Sequence, residues 1–153
     1  MRLGYVILPD ELLEPFIALK WCTDRHSPLL TQNILADFID SPLFGRHIKR
    51  MKKKYGKRRN TLIHALQKNL ADKVTTQGTN AGIHLLCWLN GIPQSKEKAL
   101  VKIAREKGLG IHSVTGLYQK PPKNIGLLLG YGNLPSRKIT EGIEILAECL
   151  REL

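Results

Sequence analysis

Two kinds of hydrophobic spacing divide this chain. Leu12, Leu13, Phe16, Ile17 and Leu19 recur at helical intervals, and so do Leu30, Ile34, Leu35, Phe38 and Ile39. Each set predicts an amphipathic helix. Asp10 stands where an N-cap is expected, with Glu11 and Glu14 near the positive helix end. Asp24-Arg25-His26-Ser27-Pro28 separates the two helices, and Ser41-Pro42-Leu43-Phe44-Gly45 interrupts the second. A long helix then restarts near Arg46, striped by Ile48, Met51, Tyr55, Leu62, Ile63, Leu66 and Leu70. Ahead of these helices, Leu3–Leu8 is an apolar run stopped by Pro9, which predicts a short buried strand with nothing before it to pair with.

Beyond Thr75-Thr76-Gln77-Gly78-Thr79-Asn80, a turn-rich link, the period changes. Apolar runs at 83–89, 110–114 and 125–131 predict strands, the first bounded by Asn90-Gly91. Residues 95–107 predict an amphipathic helix ended by Gly108, and Pro135 opens a last helix striped by Ile139, Ile143, Leu146 and Leu150. The expected fold class is α/β, with an α+β-like small domain in which helices pack on a small sheet. Residues 1–74 form an N-terminal strand and helical arm, and 75–153 form the small domain.

The 153 residues suffice for one domain with a core. No run approaches the ~20 apolar residues of a membrane helix. No secretion signal is evident, since Asp10 and Glu11 follow the first apolar run at once, so a cytoplasmic location is expected. Cys22, Cys87 and Cys149 lack metal-ligand spacing and are expected to be free thiols. The net charge of +11 is concentrated: residues 46–59 hold nine of the 24 lysines and arginines. On a helix, Ile48, Met51 and Tyr55 share one face while Arg46, Lys49, Arg50, Lys53 and Lys57 crowd the other. Such a face is either simply solvated or lies along phosphates.

Five stretches carry a sharper signal: Arg2-Leu3-Gly4-Tyr5 with Leu8-Pro9; Gln32 with Ala36-Asp37-Phe38-Ile39; Arg46-His47-Ile48-Lys49-Arg50-Met51 with Tyr55, Arg58-Arg59 and Leu62; Gly82-Ile83-His84-Leu85-Leu86; and Leu127-Leu128-Leu129-Gly130-Tyr131-Gly132-Asn133-Leu134 with Ile139 and Gly142. In order and spacing the chain resembles the C-terminal part of the fold-type I, pyridoxal-phosphate (PLP)-dependent aminotransferase-like domain of MocR-type regulators in the GntR family.

The resemblance implies a winged-helix DNA-binding module ahead of that domain and a PLP cofactor held by a Schiff-base lysine. That lysine is expected several residues upstream of Arg2, so no catalytic residue is assigned here. The isolated chain is expected to be inactive and to hold no PLP stably. Arg2 matches a position that contacts the cofactor phosphate or a substrate carboxylate. His84 and Tyr118 match small-domain positions that face the substrate cleft. The carboxylate-binding arginine of related aminotransferases is replaced by Leu128, and Lys96 opens a helix in the wrong place to serve as the cofactor lysine. DNA reading would belong to the absent N-terminal module, leaving the basic helix as a structural arm. No metal site or membrane contact is expected. The unburied arm face is expected to drive self-association or to meet the missing large-domain half. Two rivals stand beside this reading: a small basic nucleic-acid-binding protein using residues 46–59, and one half of a split PLP enzyme or regulator.

Overall fold

The computed structural model describes residues 3–80 and 82–153. They form two compact units, Met1–Arg50 and Met51–Leu153. The first carries α1 (Asp10–Thr23), α2 (Leu29–Asp40) and the opening turns of α3 (Pro42–Leu70). The second carries the rest of α3, three strands and two more helices: β1 (Val74–Gln77), β2 (His84–Pro93), α4 (Glu97–Glu106), β3 (Asn124–Gly130) and α5 (Ser136–Arg151).

In the first unit the expected strand does not form. Residues 3–9 join no ladder, and Tyr5 and Ile7 are 92% and 86% exposed. An extended segment needs a partner for its backbone groups, and none is present among the described residues. Asp10 is the first helical residue rather than the cap. Pro9 precedes it with no side-chain cap bond, and Leu12 N donates to Pro9 O at 3.0 Å. α1 closes where Asp24 N and Arg25 N both donate to Lys20 O at 3.0 Å, with Arg25 at φ 59. Ser41 ends α2 through its Oγ, which donates to Phe38 O at 2.8 Å. Pro42 then starts α3 directly, earlier than the spacing suggested, because a first-turn proline lacks only an N–H that had no partner anyway. Neither α1 nor α2 buries a single residue.

The second unit has a packed core. Its strands form an antiparallel sheet in the order β1-β2-β3. Leu85, Cys87 and Leu89 of β2, with Ile125 and Leu127 of β3, pack against Leu62, Leu66 and Leu70 of α3, Leu100 and Ala104 of α4, and Ile139, Ile143 and Leu146 of α5. The expected α/β class therefore holds. β1 occupies part of the segment read as a turn-rich link, pairing Val74 with Leu89 and Gln77 with Leu86. The expected strand at 110–114 reduces to one bridge, Ser113 with Leu127. The chain turns away at Thr115–Leu117 before a ladder can extend. α4 ends as Gly108 adopts φ 75 and Leu109 N donates to Ala104 O at 2.8 Å. Buried Tyr131 fastens β3 to the start of β2: its hydroxyl donates to Gly82 O at 2.9 Å, and its N–H donates to Ile83 O at 3.0 Å. Among the described residues, no helix is long and apolar enough to cross a membrane.

Candidate functional site on the open face of the sheet

Side chains alternate along a strand, so the face opposite the core is fixed by the register. β2 sends Leu85, Cys87 and Leu89 inward and His84, Leu86 and Trp88 outward. Pairing places Thr75 and Gln77 of β1 beside Trp88 and Leu86 on this outer face. It places Gly126, Leu128 and Gly130 of β3 beside Trp88, Leu86 and His84. None of these residues belongs to the buried core cluster.

The two glycines shape the face. A Cβ at Gly126 would lie 2.7 Å from Trp88 Cζ3 and 2.6 Å from Val114 Cγ2. A Cβ at Gly130 would lie 3.2 Å from His84 Cδ2. Both aromatic side chains of β2 therefore lean across β3 where no side chain opposes them. Tyr118 meets Trp88 edge to face, with ring centroids 6.1 Å apart at 64°. Trp88 Nε1 donates to Gln77 Oε1 at 3.3 Å. Tyr118 follows the turn Thr115–Leu117, which is anchored at its first residue. Thr115 N donates to Ser113 Oγ at 3.1 Å, and Thr115 Oγ1 donates to the Glu97 carboxylate at the start of α4.

His84 and Tyr118, both singled out from sequence, thus belong to one face. His84 is exposed rather than buried in the strand core, and Tyr118 is half-exposed against Trp88. Arg2 lies outside the described residues. Trp88, Gln77 and Leu86 were missed, because His84-Leu85-Leu86-Cys87-Trp88-Leu89 is almost uniformly apolar and the burial of every second residue appears only once the strand is paired. Leu128 is 38% exposed on the same face. The face offers aromatic and apolar surface with Gln77 and His84 as polar edges. Its outward positions on the three strands hold no lysine, arginine or carboxylate, so they provide no ionic anchor for a charged ligand group.

The basic helix proves to be two things. Arg58 donates to Gly132 O and Arg59 Nη1 donates to Thr79 O at 3.0 Å, tying α3 to the loops after β3 and β1. Tyr55 packs on the core cluster. The cations before them are exposed.

The described residues do not fit PLP. That cofactor needs an amine to attach to, an acid for its ring nitrogen and donors for its phosphate. No lysine among them is buried. In the first unit, Lys20 and Arg25 line a cavity of ≈ 500 Å³, but Lys20 Nζ is already bound to Asp24 at 2.9 Å and Ser27 at 3.4 Å. No group of His, Cys, Asp and Glu is placed to hold a metal among the described residues. Burial pushes the Cys87 thiol up to about 11, and burial likewise raises that of Cys149, while Cys22 is exposed.

No family model matches the chain. It is 33% identical over 150 residues to the helix-turn-helix-type transcriptional regulator YhdI of Bacillus subtilis, covering 95% of this chain and 31% of that protein. It is 27% identical over 146 residues to the probable rhizopine catabolism regulatory protein MocR of Rhizobium meliloti, covering 95% of this chain and 29% of that one. Among solved structures, LysN, an alpha-aminoadipate aminotransferase from Thermus thermophilus, superposes with a TM-score of 0.80 at 20% identity over 95% of this chain and 37% of its own. A kynurenine aminotransferase from Pyrococcus horikoshii gives 0.83 at 23% identity over 94% of this chain and 35% of its own. The fold is theirs, and the chain spans about a third of the curated relatives' length.

Proposed function

Because the chain belongs with the MocR-type, GntR-family regulators and carries the fold of fold-type I PLP aminotransferases, we propose that it works as the arm and small domain of an aminotransferase-like effector module. In this reading residues 1–74 are the arm and 75–153 the small domain, with the last turns of α3 lending Leu62, Leu66 and Leu70 to the small-domain core. The rest of the module, including the cofactor lysine, comes from sequence outside these residues or from a second chain. The single observation that carries the reading is a near end-to-end match to proteins about three times longer. The bare arm helices support it: a helix acquires most of its stability from packing an apolar face, and neither α1 nor α2 buries a residue.

The open sheet face then borders the effector cleft, with His84, Trp88 and Tyr118 along it. Leu128 removes one carboxylate clamp from that cleft, so an acidic ligand would be anchored by other parts of the module. The module acts in the cytoplasm, its DNA sequence read by a separate domain. Alone, the chain is expected to be catalytically inactive and to hold no cofactor in a fixed site.

The test is to mix the chain with PLP, reduce with borohydride and map the labelled lysines by peptide mass. Sparse labelling spread over several exposed lysines is expected. Stoichiometric labelling of one lysine would contradict the reading.

A further inference from the structure

From Ser41 to Ala71 the chain carries ten lysines and arginines and no aspartate or glutamate. All of them but Lys68 fall within residues 46–59, and the structure removes two from play, since Arg58 and Arg59 are spent on backbone carbonyls. The remaining seven are Arg46, Lys49, Arg50, Lys52, Lys53, Lys54 and Lys57. All are exposed, and none forms an ion pair among the described residues.

Their placement on α3 is regular. At about 100° per residue, Arg46, Lys49, Arg50, Lys53 and Lys57 fall in one stripe about 100° wide, flanked by Lys52 and Lys54. The stripe points away from Tyr55, Leu62 and Leu66, which face the core. Eleven residues of rise make it about 16 Å long. We propose that this stripe is a docking surface for the phosphate backbone of double-stranded DNA, held without base reading.

Charge complementarity favours that occupant. A duplex carries one negative charge per ~1.7 Å of axis, so a 16 Å stripe meets more phosphates than it has cations. Single strands are bound on stacked aromatics, and the one aromatic of the run, Tyr55, is taken up by packing. An anionic bilayer would need an apolar face to insert. Along α3 the large apolar side chains exposed among the described residues are two, Leu43 and Ile48, too few for such a face, and beyond Tyr55 the apolar side is committed to the core at Leu62, Leu66 and Leu70. With about five phosphates neutralised, affinity falls about 500-fold between 50 and 200 mM salt.

The experiment measures fluorescence anisotropy of a random-sequence 20-base-pair duplex with the 153-residue chain across that salt range. A stripe variant (Lys49→Glu, Arg50→Glu, Lys53→Glu, Lys57→Glu) is compared with a variant of equal charge change elsewhere (Lys98→Glu, Lys102→Glu, Lys120→Glu, Lys123→Glu). Circular dichroism checks folding, and Gln replaces Glu at the stripe if the first variant unfolds. The expected result is at least a tenfold greater loss for the stripe variant and a steep salt slope in the parent. No binding by the parent at 50 mM salt, equal losses in the two variants, or tighter binding to phosphatidylserine vesicles than to the duplex would each overturn the proposal.

Discussion

Gly126 shows how little room single residues of the open face have. Its missing Cβ leaves room for the Trp88 ring and for buried Val114, whose atoms lie 2.7 Å and 2.6 Å from where it would stand. Gly126→Ala forces one of them to move, and overpacking of this kind costs about 1–3 kcal/mol, read as a lower urea midpoint. Cys87 makes a second prediction. Its folded pKa of about 11 lies above its ordinary 9.0 because burial disfavours the thiolate. The unfolded chain therefore releases this proton first as pH rises. The contribution is complete below pH 9 and is lost as pH climbs through 11, to a total of about 2–3 kcal/mol. The pH dependence of stability between 9 and 11 should be shallower in Cys87→Ala; an identical slope in both proteins would remove the assignment. At this scale the sequence signalled residue type better than role. His84 and Tyr118 could be singled out, but the contact of Tyr118 with Trp88 depends on a turn held by Glu97 and Ser113, and no local pattern encodes that.

Helix α3 changes character along its length. Leu66 is 1% exposed inside the core of the second unit, whereas Leu30 on α2 is 74% exposed. Leu66→Ala is expected to cost about 2–5 kcal/mol by thermal unfolding, and Leu30→Ala less than about 0.5 kcal/mol in the isolated chain. A comparable loss at Leu30 would mean that α2 is packed after all. The helices were readable because their stripes and flanking prolines and glycines are local signals: Pro28, Pro42, Gly108 and Pro135 all sit at helix ends. The strands were harder. β1 is polar in composition and exists through its ladder with β2, a contact that composition does not carry. Conversely, residues 3–8 have strand composition but no ladder, and residues 110–114 have room for one bridge only.

The whole molecule is lopsided in its burial. The second unit has a connected core, whereas the described residues of the first expose Leu12, Phe16, Ile17, Trp21, Leu30 and Ile34 to between 41% and 74%. Apolar surface on that scale marks a face built to be covered. The spacing already implied an inward face for α1 and α2, but what covers it lies beyond any local pattern. If the chain is one part of a larger aminotransferase-like module, this face will bury itself against further copies when nothing else is offered. Light scattering on the purified chain from micromolar to millimolar concentration is the most direct test. The account predicts a mass above 17.3 kDa that rises with concentration, and a monodisperse monomer across the whole range would contradict it.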